Sequence, residues 1–134
     1  MRRMFVCVMA ILFVAGVAMG AGEASQTWVK TEMYFGLDIP GGGKVTQEQW
    51  TDFLDNVITK NFPQGFTVFE AYGQMRHENG ELEKQSTRVV FVVRPADPAA
   101  NAKVQDVIKA YREKFNNPQV MRLDTGAQPD FYAD

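Results

Sequence analysis

Two stretches carry apolar residues at helical spacing, and each lies between runs that alternate like strands. That order restricts the chain to few architectures. From Trp28 to Ile39, Val29, Met33, Phe35, Leu37 and Ile39 share one parity, while Lys30, Glu32, Tyr34 and Asp38 share the other. This pattern marks a strand with one face in a core. Pro40 and the glycines at 41–43 end it, because proline cannot continue a ladder and glycine allows sharp turns.

Thr46 and Gln49 form a capping-box pair ahead of Trp50, Phe53, Leu54, Val57 and Ile58, which make a single helical stripe. Pro63-Gln64-Gly65 stops that helix. Residues 66–78 and 81–94 read as two strands joined by Asn79-Gly80, a pair suited to a two-residue hairpin loop. Such a loop sets Arg76 opposite Glu83, Tyr72 opposite Thr87 and Val68 opposite Phe91. Asp97-Pro98 offers an N-cap followed by proline at the first helical position. Val104, Val107, Ile108, Tyr111 and Phe115 then form the second stripe, ended by Asn116-Asn117-Pro118. A last strand is expected over 119–124, with Met121 and Leu123 inward. The remaining tail is turn-rich, and its Phe131-Tyr132 pair is expected to pack back onto the body.

The resulting βαββαβ order is that of a ferredoxin-like α+β domain. Right-handed crossovers place both helices on one face of a four-stranded antiparallel sheet, in the spatial order last, first, third, second strand. The opposite face is then uncovered. The expected register turns Glu70, Tyr72, Gln74 and Arg76 onto it, with Thr87, Val89, Phe91, Val93, Trp28, Glu32, Tyr34 and Arg122. Apolar surface of this extent seldom stays wet in a soluble monomer. Three readings compete: a face-to-face homodimer, a small-ligand pocket enclosed by that dimer, and docking onto another exported protein or a surface polymer. Tyr34, Tyr72, Gln74 and Arg76 are the candidate binding residues.

Chemistry is sparse by comparison. Gly41-Gly42-Gly43-Lys44-Val45-Thr46 lacks the spacing of a phosphate loop, since Asp38 holds the place of the first glycine and Val45 follows the lysine. His77 is the single histidine, which rules out multi-histidine metal sites, and its place near the hairpin tip suits a surface residue. Glu78, Glu81 and Glu83 read as a solvated tip, Asp52 and Asp55 as solubilising charges, and Trp50 as core. No catalytic residue, metal site or cofactor is expected. The strand around Val89–Val93 lacks the basic-glycine-aromatic pattern of RNA-recognition domains, and the chain is weakly acidic, with 14 Lys and Arg against 16 Asp and Glu. Nucleic acid is therefore not an expected partner.

Ahead of the domain, Arg2 and Arg3 precede an apolar run from Met4 to Met19 and small residues at 20–24. This is the pattern of a secretory signal, expected over residues 1–24, with a single domain over 25–134. The run is shorter than the ~20 residues a membrane span needs, so no lasting membrane anchor is expected. Cys7, the only cysteine, lies within the run rather than at a cleavage point, which argues against a lipoprotein. A periplasmic or extracellular, cysteine-free domain follows.

The segments Met33-Tyr34-Phe35-Gly36 through Trp50, Phe62-Pro63-Gln64-Gly65-Phe66-Thr67-Val68 and Gly73-Gln74-Met75-Arg76 resemble a bacterial family catalogued as domain of unknown function 3574. The resemblance spans most of the domain. It implies a shared fold and compartment, with Met75 standing where an aromatic is expected, and no activity or catalytic residue carries over. The function expected is an exported binding or interaction domain. The alternative is a cofactor-independent enzyme of the dimeric α+β barrel kind, acting on a small apolar or aromatic compound.

Overall fold

The computed structural model describes residues 25–133, so the signal expected over 1–24 lies outside the described residues. Four strands, β1 (Trp28–Gly36), β2 (Thr67–Arg76), β3 (Leu82–Pro95) and β4 (Val120–Ala127), form one antiparallel sheet in the order β2-β3-β1-β4. Helix α1 (47–61) follows β1, and helix α2 (Pro98–Lys114) follows β3. The ferredoxin-like α+β arrangement and its strand order are as the sequence predicts.

Local chemistry explains the boundaries. Thr46 Oγ1 accepts from the Gln49 amide at 3.1 Å while the Gln49 side chain accepts from the Thr46 amide at 2.9 Å, completing the capping box. Asp97 Oδ1 accepts from the Ala100 amide at 2.7 Å, and Pro98 opens α2. Gly41, Gly42 and Gly43 all have positive φ, which lets the chain double back so that Lys44 reaches Asp38 at 2.8 Å.

Helix α1 holds a feature the stripe does not announce. Its middle, Leu54–Ile58, is a π-helical turn between the α-helical pieces Gln47–Phe53 and Thr59–Asn61. The extra residue carries Ile58 and Phe62 back onto the buried side below Phe53, while Leu54 and Val57 are only partly covered. Thr59 closes this wider turn twice on the Leu54 carbonyl, which accepts from its backbone N–H and, at 2.9 Å, from its Oγ1.

The core lies between the sheet and both helices. Phe35, Trp50, Phe53 and Tyr111 make a mutual aromatic cluster with ring centroids 4.7–6.2 Å apart, and Phe115 packs at a tilt against Tyr111. Met33, Val90, Val92, Val104 and Val107 fill the rest. Tyr111 is fully buried, and its hydroxyl donates to the Gly36 carbonyl at 2.7 Å. Burial alone pushes that phenol far above the ordinary tyrosine range.

The hairpin corrects the expected register. A two-residue loop needs positive φ at both Asn79 and Gly80, and of the two only Gly80 has it, at 88°. The turn takes three residues instead: His77 N–H donates to Glu81 O at 2.9 Å, and Gly80 N–H to His77 O at 2.9 Å. Every β2–β3 pair shifts by one position. Arg76 faces Leu82 rather than Glu83, Tyr72 faces Ser86 rather than Thr87, and Val68 faces Val90 rather than Phe91. The expected Arg76–Glu83 pair does not form. Arg76 donates to Gly80 O at 2.9 Å, and Glu83 meets His77 at 2.9 Å.

A one-residue slip turns a strand over. Since Val90 is core, the even residues Val68, Glu70, Tyr72, Gln74 and Arg76 lie on the helix side, and Phe69, Ala71, Gly73 and Met75 on the open side. β4 is also inverted relative to expectation. Met121 and Leu123 pair with Tyr34 and Glu32 on the open face, while Arg122 pairs with Met33 on the helix side. β4 runs on to Ala127, three residues past the expected end.

Candidate functional site

Three places could carry function: the open sheet face, a cleft at one end of the sheet, and a charged cluster beneath α2. The open face is far more apolar than the expected register implies. Phe69, Met75, Val93, Met121 and Leu123 stand 38–53% exposed on it, beside Tyr34, Val89 and Phe91. Phe69 stacks on Phe91 with centroids 5.6 Å apart, and Lys30 Nζ lies 4.6 Å over the Phe91 ring. Lys30 also pairs with Glu32 at 3.6 Å, so the charges at the middle of the face cancel. Gly36 has its own use here. A Cβ on it would come within 2.6 Å of the Gln85 amide, which lies flat across the strand.

Of the four candidate binding residues, Tyr34 alone lies on that face. Its hydroxyl donates to Glu32 at 3.4 Å, and burial, with the charge and hydrogen bond of Glu32, raises the phenol above its usual range. Tyr72, Gln74 and Arg76 sit on the helix side of β2, exposed where the hairpin projects. Tyr72 hydroxyl donates to Gln74 Oε1 at 3.0 Å. The four residues therefore form no single constellation.

The cleft, about 880 Å³, opens where β3 overhangs the start of β2. Phe62 and Phe66 at the end of α1, Pro95 of β3, and Trp28 with Phe131 supply apolar walls, with Lys103 and Gln64 polar. Phe131 meets Trp28 with ring centroids 5.8 Å apart yet stays 75% exposed, and Tyr132 stays 94% exposed. This volume falls in the range of small-molecule sites.

The charged cluster is what the sequence reading missed. Thr31 Oγ1 donates to Asp124 Oδ1 at 2.6 Å and accepts from Arg94 Nε at 2.8 Å. Arg122 reaches Asp124 Oδ2 and Asn101 Oδ1, both at 2.7 Å. Burial pushes the Asp124 carboxyl up. Hydrogen bonds from Arg122 and Thr31, with the charges of Arg122 and Arg94, outweigh that and hold it below the ordinary range. Arg94 is buried, fully engaged and bonded also to Pro95 O, so the cluster reads as a structural tie between β1, β3, β4 and α2. Among the described residues no three of His, Cys, Asp or Glu group to hold a metal ion.

A family model described as protein of unknown function, DUF3574, matches residues 30–131. The chain belongs to that family. Its fold is similar to a phage SAM lyase solved in complex with S-methyl-5'-thioadenosine, at 15% identity and TM-score 0.57, covering 74% of this chain and 81% of that one. A phage SAM lyase in the apo state gives 14% identity and TM-score 0.55, covering 80% and 94%. At such identities the likeness shows the fold alone. No curated protein sequence matches the chain.

Proposed function

We propose that this family member is an exported binding and interaction domain that works through its open sheet face, closed against a second copy of itself. The observation that carries the reading is the exposure of Phe69, Met121 and Leu123 at about half their surface on one continuous face. Four strands about 4.8 Å apart and roughly nine residues long cover on the order of 600 Å² before side-chain relief is counted. That approaches the ~800 Å² per partner of a standard interface. The Lys30–Glu32 pair leaves the middle of the face without net charge, so two copies meet without repulsion. Export is supported by Arg2 and Arg3 ahead of the apolar run.

The cleft favours a second reading, a pocket or catalytic site for a small apolar or aromatic compound. Trp28, Phe91 and Phe131 belong both to the cleft lining and to the open side, so a partner seated on the face would wall the cleft. The two phage SAM lyase structures add that this fold accommodates a small-molecule enzyme.

Sedimentation of wild type and Leu123→Lys tests the face. The variant should show a lower molar mass at high concentration, with unchanged circular dichroism. Equal masses at every concentration would end the proposal. A ligand screen by thermal shift tests the cleft, where Phe66→Ala should abolish any aromatic hit that survives Leu123→Lys.

A further inference from the structure

β2 is the outermost strand of the sheet, and among the described residues no strand pairs with its outer side. In an antiparallel ladder each residue sends both backbone groups to one neighbour, alternating along the strand. His77 donates toward Glu81 of the β3 side, so odd residues of β2 serve β3. Val68, Glu70, Tyr72, Gln74 and Arg76 therefore point their N–H and C=O groups outward. Natural edges are blunted by proline, lysine, bulges or brevity. The ten residues Thr67–Arg76 contain neither proline nor lysine, and their pairing to β3 runs without a bulge.

We infer that this edge pairs antiparallel with the β2 of a second copy, about a twofold axis through Gly73. Two four-stranded sheets then join into one of eight strands. The register follows from charge. β2 has one acidic residue, Glu70, and one basic residue, Arg76. Placing the axis at Gly73 sets Glu70 of each copy opposite Arg76 of the other, and Tyr72 opposite Gln74. Shifting the axis by one residue either way loses the Glu–Arg pairing. The phase of the backbone agrees: the 70/76 and 72/74 pairs fall on the outward-pointing residues and exchange about eight hydrogen bonds. Gly73 falls on the close, non-bonded pair at the axis, where two side chains would crowd.

The other edge differs. Arg122 and Asp124 of β4 are bound to one another and to Asn101 and Thr31, so their charges are spent inside the molecule. On β2, Glu70 stays 80% exposed even while touching Arg88 at 3.2 Å. This seam is independent of the open face, and a chain using both would associate beyond the dimer.

The experiment introduces Gly73→Cys into a Cys7→Ser, Leu123→Lys chain, so that the open face contributes nothing and one thiol is present. Cα atoms at a non-bonded antiparallel pair lie about 4.5 Å apart, within reach of a disulfide. A Cβ at Gly73 meets only ordinary contacts, 3.8 Å from Gln85 O and 3.9 Å from Thr87 Oγ1. Mild oxidation should form a covalent dimer at least about tenfold faster than with Thr51→Cys, an exposed control on α1. Glu70→Arg and Arg76→Glu should each slow the reaction about tenfold. Mixed together, the two should cross-link to each other at the original rate, because both seam contacts then become complementary. A Gly73→Cys rate no greater than that of Thr51→Cys would overturn the seam. So would mixed variants that link no faster than either alone, and neither result bears on the open face.

Discussion

On the helix side of the sheet Met33, Phe35 and Val90 expose no surface, while one residue along in neighbouring strands Phe69, Met121 and Leu123 are about half exposed. Both faces are apolar in composition, and what separates them is cover. The helix side also holds one closed polar set, Thr31, Arg94, Arg122, Asp124 and Asn101, each bonded to another. The open side has the Lys30–Glu32 pair at its middle and His77 with Glu83 toward the hairpin. One face is therefore the covered core, and the other is the exposed apolar surface on which the proposed association rests.

Paired substitutions break that contrast most sharply. Phe35→Ala removes the ring at the centre of the aromatic cluster and should cost about 3–5 kcal/mol. Thermal denaturation should show a fall of roughly 15 °C or more. Phe69→Ala, an equal truncation on the open face, should cost less than about 1 kcal/mol and weaken association instead.

Asp124→Asn comes next, at about 2 kcal/mol near neutral pH, moderated because 40% of the side chain meets solvent. The sign with pH follows from its lowered folded value. The stabilisation is full above the unfolded carboxylate value of about 3.9 and is lost as pH falls through the lower folded one. Wild type should lose melting temperature below about pH 4, and Asp124→Asn should lose less over the same range. An identical acid limb would show that other carboxylates govern it.

Tyr111→Phe deletes the bond to Gly36 O and should cost about 1 kcal/mol by chemical denaturation, with no change in molar mass. Leu123→Lys should have the smallest effect on folding, within about 0.5 kcal/mol, and the largest effect on self-association.

The sequence discloses the two inner strands and both helices, because there period and capping agree. β1 alternates over its whole length, and β3 carries Val90 and Val92 against Val89, Phe91 and Val93 without a competing choice once its partner is fixed. β2 reads plausibly either way up. Phe69 and Met75 compete with Val68 and Tyr72 for the core, and one turn residue decides between them. The φ of Asn79, which patterning does not reveal, set the answer. β4 misleads for another reason: Met121 and Leu123 are more apolar than Arg122, yet Arg122 goes inward because Asp124 and Asn101 await it. Three of four candidate binding residues, Tyr72, Gln74 and Arg76, followed β2 to the wrong face for a joint site with Tyr34. The inversion of both edge strands made the open face more apolar than the expected register allows.

Methionine oxidation reads the cover on that face directly, since Met33 is fully buried and Met121 is 53% exposed on β4, away from the β2 edge. With peroxide applied to wild type across a concentration series, Met33 should resist throughout, and Met121 should change from rapid to slow oxidation as the protein associates. A Met121 rate that stays fast and constant up to high concentration would contradict an open face that closes on a second copy.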